Sequence, residues 1–585
     1  MRRSRTVAIT GAVALATSAL AGTTAAAATH TATTQVGAAA STRYVILADR
    51  AADADTLAEA LRGAGGQVSS VNRAIGMVAV ESTSSVFLAR ARALPGVQVA
   101  GRDGVVGRSP DAAKVKVAVL KEHQSSLRTS AGASAAGARS AQSAAATKGP
   151  SDPLDSLLWG MDMIKAPAAH AKQLGDKRVR VGVMDTGVDG THPDLAANFD
   201  RTLSRNFTKD MPVIDGPCEV ASCVDPADVD DDGHGTHVAG TMAAAMNGMG
   251  VSGVAPDVGI VNVRAGQDSG YFFLAPTANA LTYSGDVGID VVNMSFYVDP
   301  WLYNCRGGAP EDTPEQAAEQ DLIIETMTRA LNYAHRKGVT LVAALGNDHD
   351  DVSHPRTDVS SPDFPVGTEH SRTIDDASCL DLPVEGPHVI GVSALGPSAR
   401  KADYSNHAGN LRSGELEVSA PGGWYRDGLG TDSYLTNENL ILSTAPRNVM
   451  VAEGQVDANG DVTPLGESLG TMKACTSRPA PGASACGYYQ YLQGTSMASP
   501  HAAGVAALAV SAHGKVVGGS GFGLAPDRVR RLLMDTATNH ACPTPALQSY
   551  VDVGRTAEFD ALCVGSRAFN GFYGDGIVNA LGVVR

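Results

Sequence analysis

Five short, mainly apolar runs, at 179–184, 258–264, 291–294, 339–345 and 389–394, punctuate the chain after residue 178. None alternates between apolar and polar positions, so they read as strands buried on both faces of a parallel sheet. Between and after them lie stretches of helical period, notably 234–245, 314–337 and 499–512. Strands and helices in alternation predict an α/β fold, a three-layer α/β/α arrangement around a mainly parallel sheet. Nearer the N-terminus the pattern changes. Strands at 43–47, 67–71, 77–80 and 97–100 surround helical stretches at 53–61 and 85–94, which predicts a small α+β domain over 41–108.

The segments flanking that domain read differently. Arg2, Arg3 and Arg5 precede an alanine-rich apolar run at 7–21 and small residues up to Ala28, so 1–28 reads as a secretory signal peptide. No later stretch approaches 18 uninterrupted apolar residues, so no membrane anchor is expected. Residues 109–150 are rich in Ala, Ser and Lys with little periodicity, which suits a cleavable linker. Residues 151–585 then form the main domain.

Composition adds three constraints. A chain of 585 residues that is 43% apolar can bury a large core. Residues 1–150 carry 17 basic and 8 acidic side chains, a net of +9, leaving 29 and 53, a net of −24, for the rest. The two parts should attract each other, and the acidic main part argues against nucleic-acid binding. All eight cysteines follow residue 217 and none forms a Cys-x-x-Cys pair, so in an exported chain disulfides are expected rather than zinc. Of 105 possible pairings, Cys218–Cys223, Cys475–Cys486 and Cys542–Cys563 would close short loops, leaving Cys305 and Cys379.

The candidate chemistry lies where strands end and helices begin. Ser496, in Gly494-Thr495-Ser496-Met497-Ala498, runs into an apolar helix whose N-terminus favours a developing negative charge. A hydroxyl nucleophile needs a histidine base and an acid that orients it. His234 stands in Asp232-Gly233-His234-Gly235-Thr236-His237, and Asp185 ends the run Val181-Gly182-Val183-Met184. His237 points away from the place His234 addresses and is assigned to packing or to a supporting hydrogen bond.

The order Asp, His, Ser distinguishes this set from α/β-hydrolases and chymotrypsin-like enzymes. At these segments the chain resembles the subtilisin-like serine proteases, and 339–347 resembles the family strand that ends on the oxyanion-hole asparagine, here Asn347. The resemblance implies a secreted, monomeric serine endopeptidase made as a zymogen. Its substrates would be polypeptides, and its own propeptide, 41–108, would inhibit it. A catalytically silent peptide-binding scaffold on the same fold is the alternative. Ser295, Phe296 and Tyr297 occupy the family's substrate-pocket segment, with bulky side chains where glycines are usual. Asp194 and Asn247 match positions that imply one structural calcium ion; no metal enters the chemistry. Stretches near 201–230, 297–320, 348–384 and 424–490 depart from the compact family pattern and are expected as disulfide-tied surface insertions. The run Asp228 to Asp232 is expected as a solvated acidic face, or else as a site that favours basic substrate side chains.

Overall fold

The computed structural model describes residues 41–104, 151–354, 356–359, 370–375, 377–411, 414–517 and 521–585. The expected signal peptide and linker lie outside them. Seven parallel strands form the central sheet, in the order Val418–Pro421, Val389–Leu395, Thr340–Ala344, Val291–Met294, Arg180–Met184, Gly259–Arg264 and Arg205–Asn206. Five were expected. The two outer strands carry no apolar run: one begins beside Glu417 and ends on a proline, and the other is only Arg-Asn.

Neighbouring residues in each strand serve opposite layers. Val291 and Val342 pack with the helices His234–Ala243 and Thr495–His513, whereas Val292, Leu341 and Ala343 pack with Leu274–Val287 and Pro314–Arg336. Side chains alternate across a strand, so a sheet covered on both faces needs apolar residues at every position. The helix Thr495–His513 is central to the first layer, and every residue from Thr495 to Val510 is buried.

Residues 42–102 form a four-stranded antiparallel sheet with the helices Ala54–Gly63 and Phe87–Arg92. Both faces of this sheet are also covered. Tyr44 and Ile46 pack with its own helices, while Val45, Leu47 and Met77 pack against Leu274, Ala278, Leu322 and Ile323 of the main body. Asn72 donates to Asn279 and Thr282, and Arg329 donates to the carbonyls of Ala48 and Ile75. Apolar burial and a few directed hydrogen bonds therefore carry this contact.

Four disulfides, Cys218–Cys223, Cys305–Cys379, Cys475–Cys486 and Cys542–Cys563, tie the loops. The stretch 424–490 departs from the expected surface insertion. Leu440, Ile441, Leu442 and Tyr489 belong to the main core, and the strand Ile441–Ala445 pairs with Cys486–Leu492. The run Asp228 to Asp232 is only in part a solvated face: Asp228, Asp231 and Asp232 are half-buried, and Asp230 is not solvated at all. Asp230 is 1% exposed because it turns inward to satisfy a tight turn.

Candidate active site

Asp185 follows the strand Arg180–Met184 and is fully buried. Its Oδ1 lies 2.7 Å from Nδ1 of His234, the first residue of the helix His234–Ala243. Three polar side chains hold that helix mouth. Asp232 accepts from the His234 N–H (3.1 Å), Thr186 Oγ1 from the Gly235 N–H (3.1 Å) and Asp230 Oδ2 from the Thr236 N–H (2.9 Å). These satisfy amides that a helix leaves without partners. Position 235 must be glycine, because a Cβ there would run into the Gly187 carbonyl and Asp185. Burial disfavours charge on His234, but Asp185, Asp232 and Asp230 together overcome it and push its pKa up to about 9.

Ser496 lies in the first turn of the helix Thr495–His513 and is 6% exposed. Its Oγ donates weakly to the Ser295 carbonyl, 3.4 Å away. Pro500 inside this helix has no N–H to give to the Ser496 carbonyl four residues earlier. The Ser295 hydroxyl supplies the missing bond at 3.2 Å, while Ser499 and the Asn293 amide pack on its oxygen at 2.8 and 2.9 Å. Ser295 thus has its side chain on the peptide that carries Ser496.

Asn347 follows the strand Thr340–Ala344. Its Oδ1 accepts from both the N–H and the Oγ1 of Thr495, each at 2.9 Å. The amide oxygen is therefore held toward the helix start, which turns the NH2 group to the other side. Thr495 is a positioning residue that the sequence reading missed; its place directly before Ser496 was the available signal. Gly346 adopts a φ of +107°, and a side chain there would strike Asn406.

The other expected pocket residues divide. The Phe296 ring stacks on Phe272 with centroids 4.0 Å apart, and Tyr297 packs beside Leu302, Tyr303 and the Cys305–Cys379 bridge. His237 is fully buried and hydrogen-bonded through Nε2 to the Ile441 carbonyl at 3.0 Å, a packing position as expected.

The sequence signature described as the Subtilase family matches residues 176–551. The chain belongs to that family. Subtilisin DY of Bacillus licheniformis is 26% identical over 381 residues, which span 65% of this chain and 91% of the relative. M-protease of Shouchella clausii is 29% identical over 290 residues, 44% of this chain and 65% of the relative. The crystal structure of the epidermin leader peptide processing serine protease of Staphylococcus aureus covers 93% of this subtilase and 98% of its own chain. At a TM-score of 0.57 and 18% identity it shows the shared fold. No helix among the described residues of this subtilase is long and apolar enough to cross a membrane.

Subtilases generally bind structural calcium and need no catalytic cofactor. In this subtilase Asp194 and Asn247 do meet, but their atoms do not suit a cation. Asp194 Oδ1 accepts from Asn247 Nδ2 (3.2 Å), and Oδ2 accepts from the Val251 N–H (3.1 Å) and the Tyr489 hydroxyl (2.8 Å). Asn247 Oδ1 is taken by the Met249 N–H at 3.0 Å. Calcium needs convergent oxygen lone pairs, whereas hydrogen-bond donors converge on Asp194. Burial, only partly offset by these donors, raises its pKa to about 7.

Proposed function

We propose that this chain is a secreted serine endopeptidase, made as a zymogen, that cleaves peptide bonds through an acyl-enzyme on Ser496. The observation that carries the reading is the 2.7 Å contact between His234 Nδ1 and Asp185, in a family of serine proteases. Asp185 fixes the imidazole so that Nε2 takes the Ser496 proton as Oγ attacks the carbonyl carbon. The same proton passes to the leaving amine, and water then repeats the sequence to release the acid. The Asn347 NH2 and the Ser496 N–H serve the oxyanion. Residues 41–108 act as the inhibitory propeptide, and the linker at 109–150 is where maturation cuts. Their support is the packing of the 42–102 unit on the helices Leu274–Val287 and Pro314–Arg336.

A fluorophosphonate probe tests this reading. Mature protein should be labelled once, and Ser496→Ala should abolish labelling. Labelling that survives Ser496→Ala, or its absence in mature wild-type protein, would favour a silent peptide-binding scaffold. The pH dependence adds a second check. The base works only when neutral, so with a pKa near 9 kcat/KM should rise about tenfold per unit from pH 7 and level off near 9. A profile that levels off near 6.5 would mean that Asp185, Asp232 and Asp230 do not outweigh the burial of His234.

A further inference from the structure

Asp185 and Asn347 follow the C-terminal ends of their strands, and a second cluster of chemically capable side chains lies at the opposite edge of the same sheet. His335 stands in the last turn of the helix Pro314–Arg336, just before the strand Thr340–Ala344, and His388 immediately precedes the strand Val389–Leu395. Their rings lie face to face, with centroids 3.7 Å apart and planes inclined by 4°. His335 Nε2 lies 3.0 Å from Oδ1 of Asp527, in the first turn of the helix Pro526–Thr536. A ring nitrogen of each histidine and a carboxylate oxygen of Asp527 fall within 4.8 Å of one another. The Asn332 side chain fixes the tautomer of His388. Its Nδ2 donates to the Thr328 carbonyl at 2.7 Å, so its Oδ1 accepts from His388 Nε2 at 3.1 Å. With the proton on Nε2, a neutral ring offers the lone pair of Nδ1. Burial and the His335 charge lower the pKa of His388, which keeps that ring neutral at pH 7. A histidine that gives one ring N–H to a fixed oxygen and offers its other nitrogen is arranged as metal-binding histidines are.

We propose that His335, His388 and Asp527 bind one divalent transition-metal ion of the zinc class, with water in the fourth position. Two imidazoles and one carboxylate suit zinc rather than calcium or magnesium, which take oxygen ligands. Ligand atoms held about 2.0–2.1 Å from a tetrahedral ion are about 3.3 Å apart, and His335 and Asp527 already stand at 3.0 Å. A turn of the exposed His388 ring about its Cβ–Cγ bond brings in the third ligand. Bound there, the ion staples two helices and the loop before a central strand. A whole strand separates it from Asn347, so it braces the fold and takes no part in bond cleavage.

The test uses the full chain as Ser496→Ala, which prevents self-digestion, after stripping with EDTA. Titration with zinc chloride should show one site of micromolar or tighter affinity, and saturating zinc should raise the thermal midpoint by several degrees. Calcium chloride should not compete for it. His335→Ala and Asp527→Asn should each weaken zinc binding at least tenfold. His354→Ala, which removes the histidine of another exposed pair, with Asp351, should leave binding intact. The proposal is overturned if no zinc binds, if calcium chloride displaces it, or if binding disappears with His354→Ala or His234→Ala instead. Should His335→Ala fail to fold, the exposed Asp527→Asn decides alone, and an unchanged zinc affinity overturns the proposal.

Discussion

Asp230 and Asp210 lie twenty residues apart in one insertion, both almost completely buried, and their surroundings are opposite. Asp230 accepts five hydrogen bonds. Thr186 Oγ1, the Asp232 N–H and the Gly233 N–H reach its Oδ1, and the Thr236 N–H and Oγ1 reach its Oδ2. Asp210 accepts none among the described residues. A buried carboxylate is tolerable only when donors or a cation replace the water it has lost. The first carboxylate therefore organises protein atoms around itself, whereas burial and the neighbouring charges of Asp225, Asp215 and Glu219, only partly opposed by Arg264, push the pKa of the second up to about 6.

The largest break in that contrast comes from removing Asp230. Asp230→Ala leaves the Thr186 hydroxyl and the Gly233 and Thr236 amides without an acceptor in a buried turn, and these same groups seat His234 over Asp185. We expect a loss of roughly 3–5 kcal/mol of stability, the range for breaking a buried charged network, with a fall in kcat. Denaturant unfolding of the inactive Ser496→Ala form measures the first and kinetics the second. A stability change below about 1 kcal/mol would mean that the turn holds without its acceptor.

Asn347 sharpens the contrast from another side, because Thr495 holds the oxygen end of its amide. Asn347→Ala should lower kcat by about 10² to 10³ with little change in KM, the size known for the equivalent donor in subtilisin. An unchanged kcat would remove it from oxyanion binding.

How much of this was legible depended on whether burial and polarity agreed. Asp185, His234, Ser496 and Asn347 stood out because each sits in a short motif that closes a strand or opens a helix. The five strands buried on both faces read directly as apolar runs. The helix Leu274–Val287 did not stand out, because its buried Thr277, Thr282 and Ser284 look polar in the sequence. In the fold their hydroxyls bond back to the carbonyls of Phe273, Ala278 and Ala280, so they pack as if apolar. The same effect shortened the expected helix at 499–512. It begins at Thr495, where buried polar residues and Pro500 conceal its first turn. Within the acidic run at 228–232, Asp230 misled in the opposite sense, since sequence cannot show that it faces five donors. The Asp194 and Asn247 positions were correctly brought together, but the Tyr489 hydroxyl that fills the space arrives from almost 300 residues away.

The smallest expected effect concerns a carboxylate between these extremes. Asp103, 6% exposed, accepts from the Leu274 N–H (3.0 Å) and the Ala275 N–H (3.3 Å), and so caps the helix Leu274–Val287 from within the N-terminal unit. Losing such a cap removes about 0.5–2 kcal/mol, so Asp103→Ala in the Ser496→Ala full chain should speed amide exchange at Leu274 and Ala275 up to about thirtyfold. Burial raises the Asp103 pKa, opposed by the Arg43 charge and by these two amides. A raised pKa in the folded state means that the contribution is fully present below the unfolded value near 3.9 and is lost as pH rises through the folded value. The difference between Asp103 and Asp103→Ala proteins should therefore be larger at pH 5 than at pH 8. An equal difference at both would show that two N–H donors already satisfy this carboxylate as completely as five satisfy Asp230.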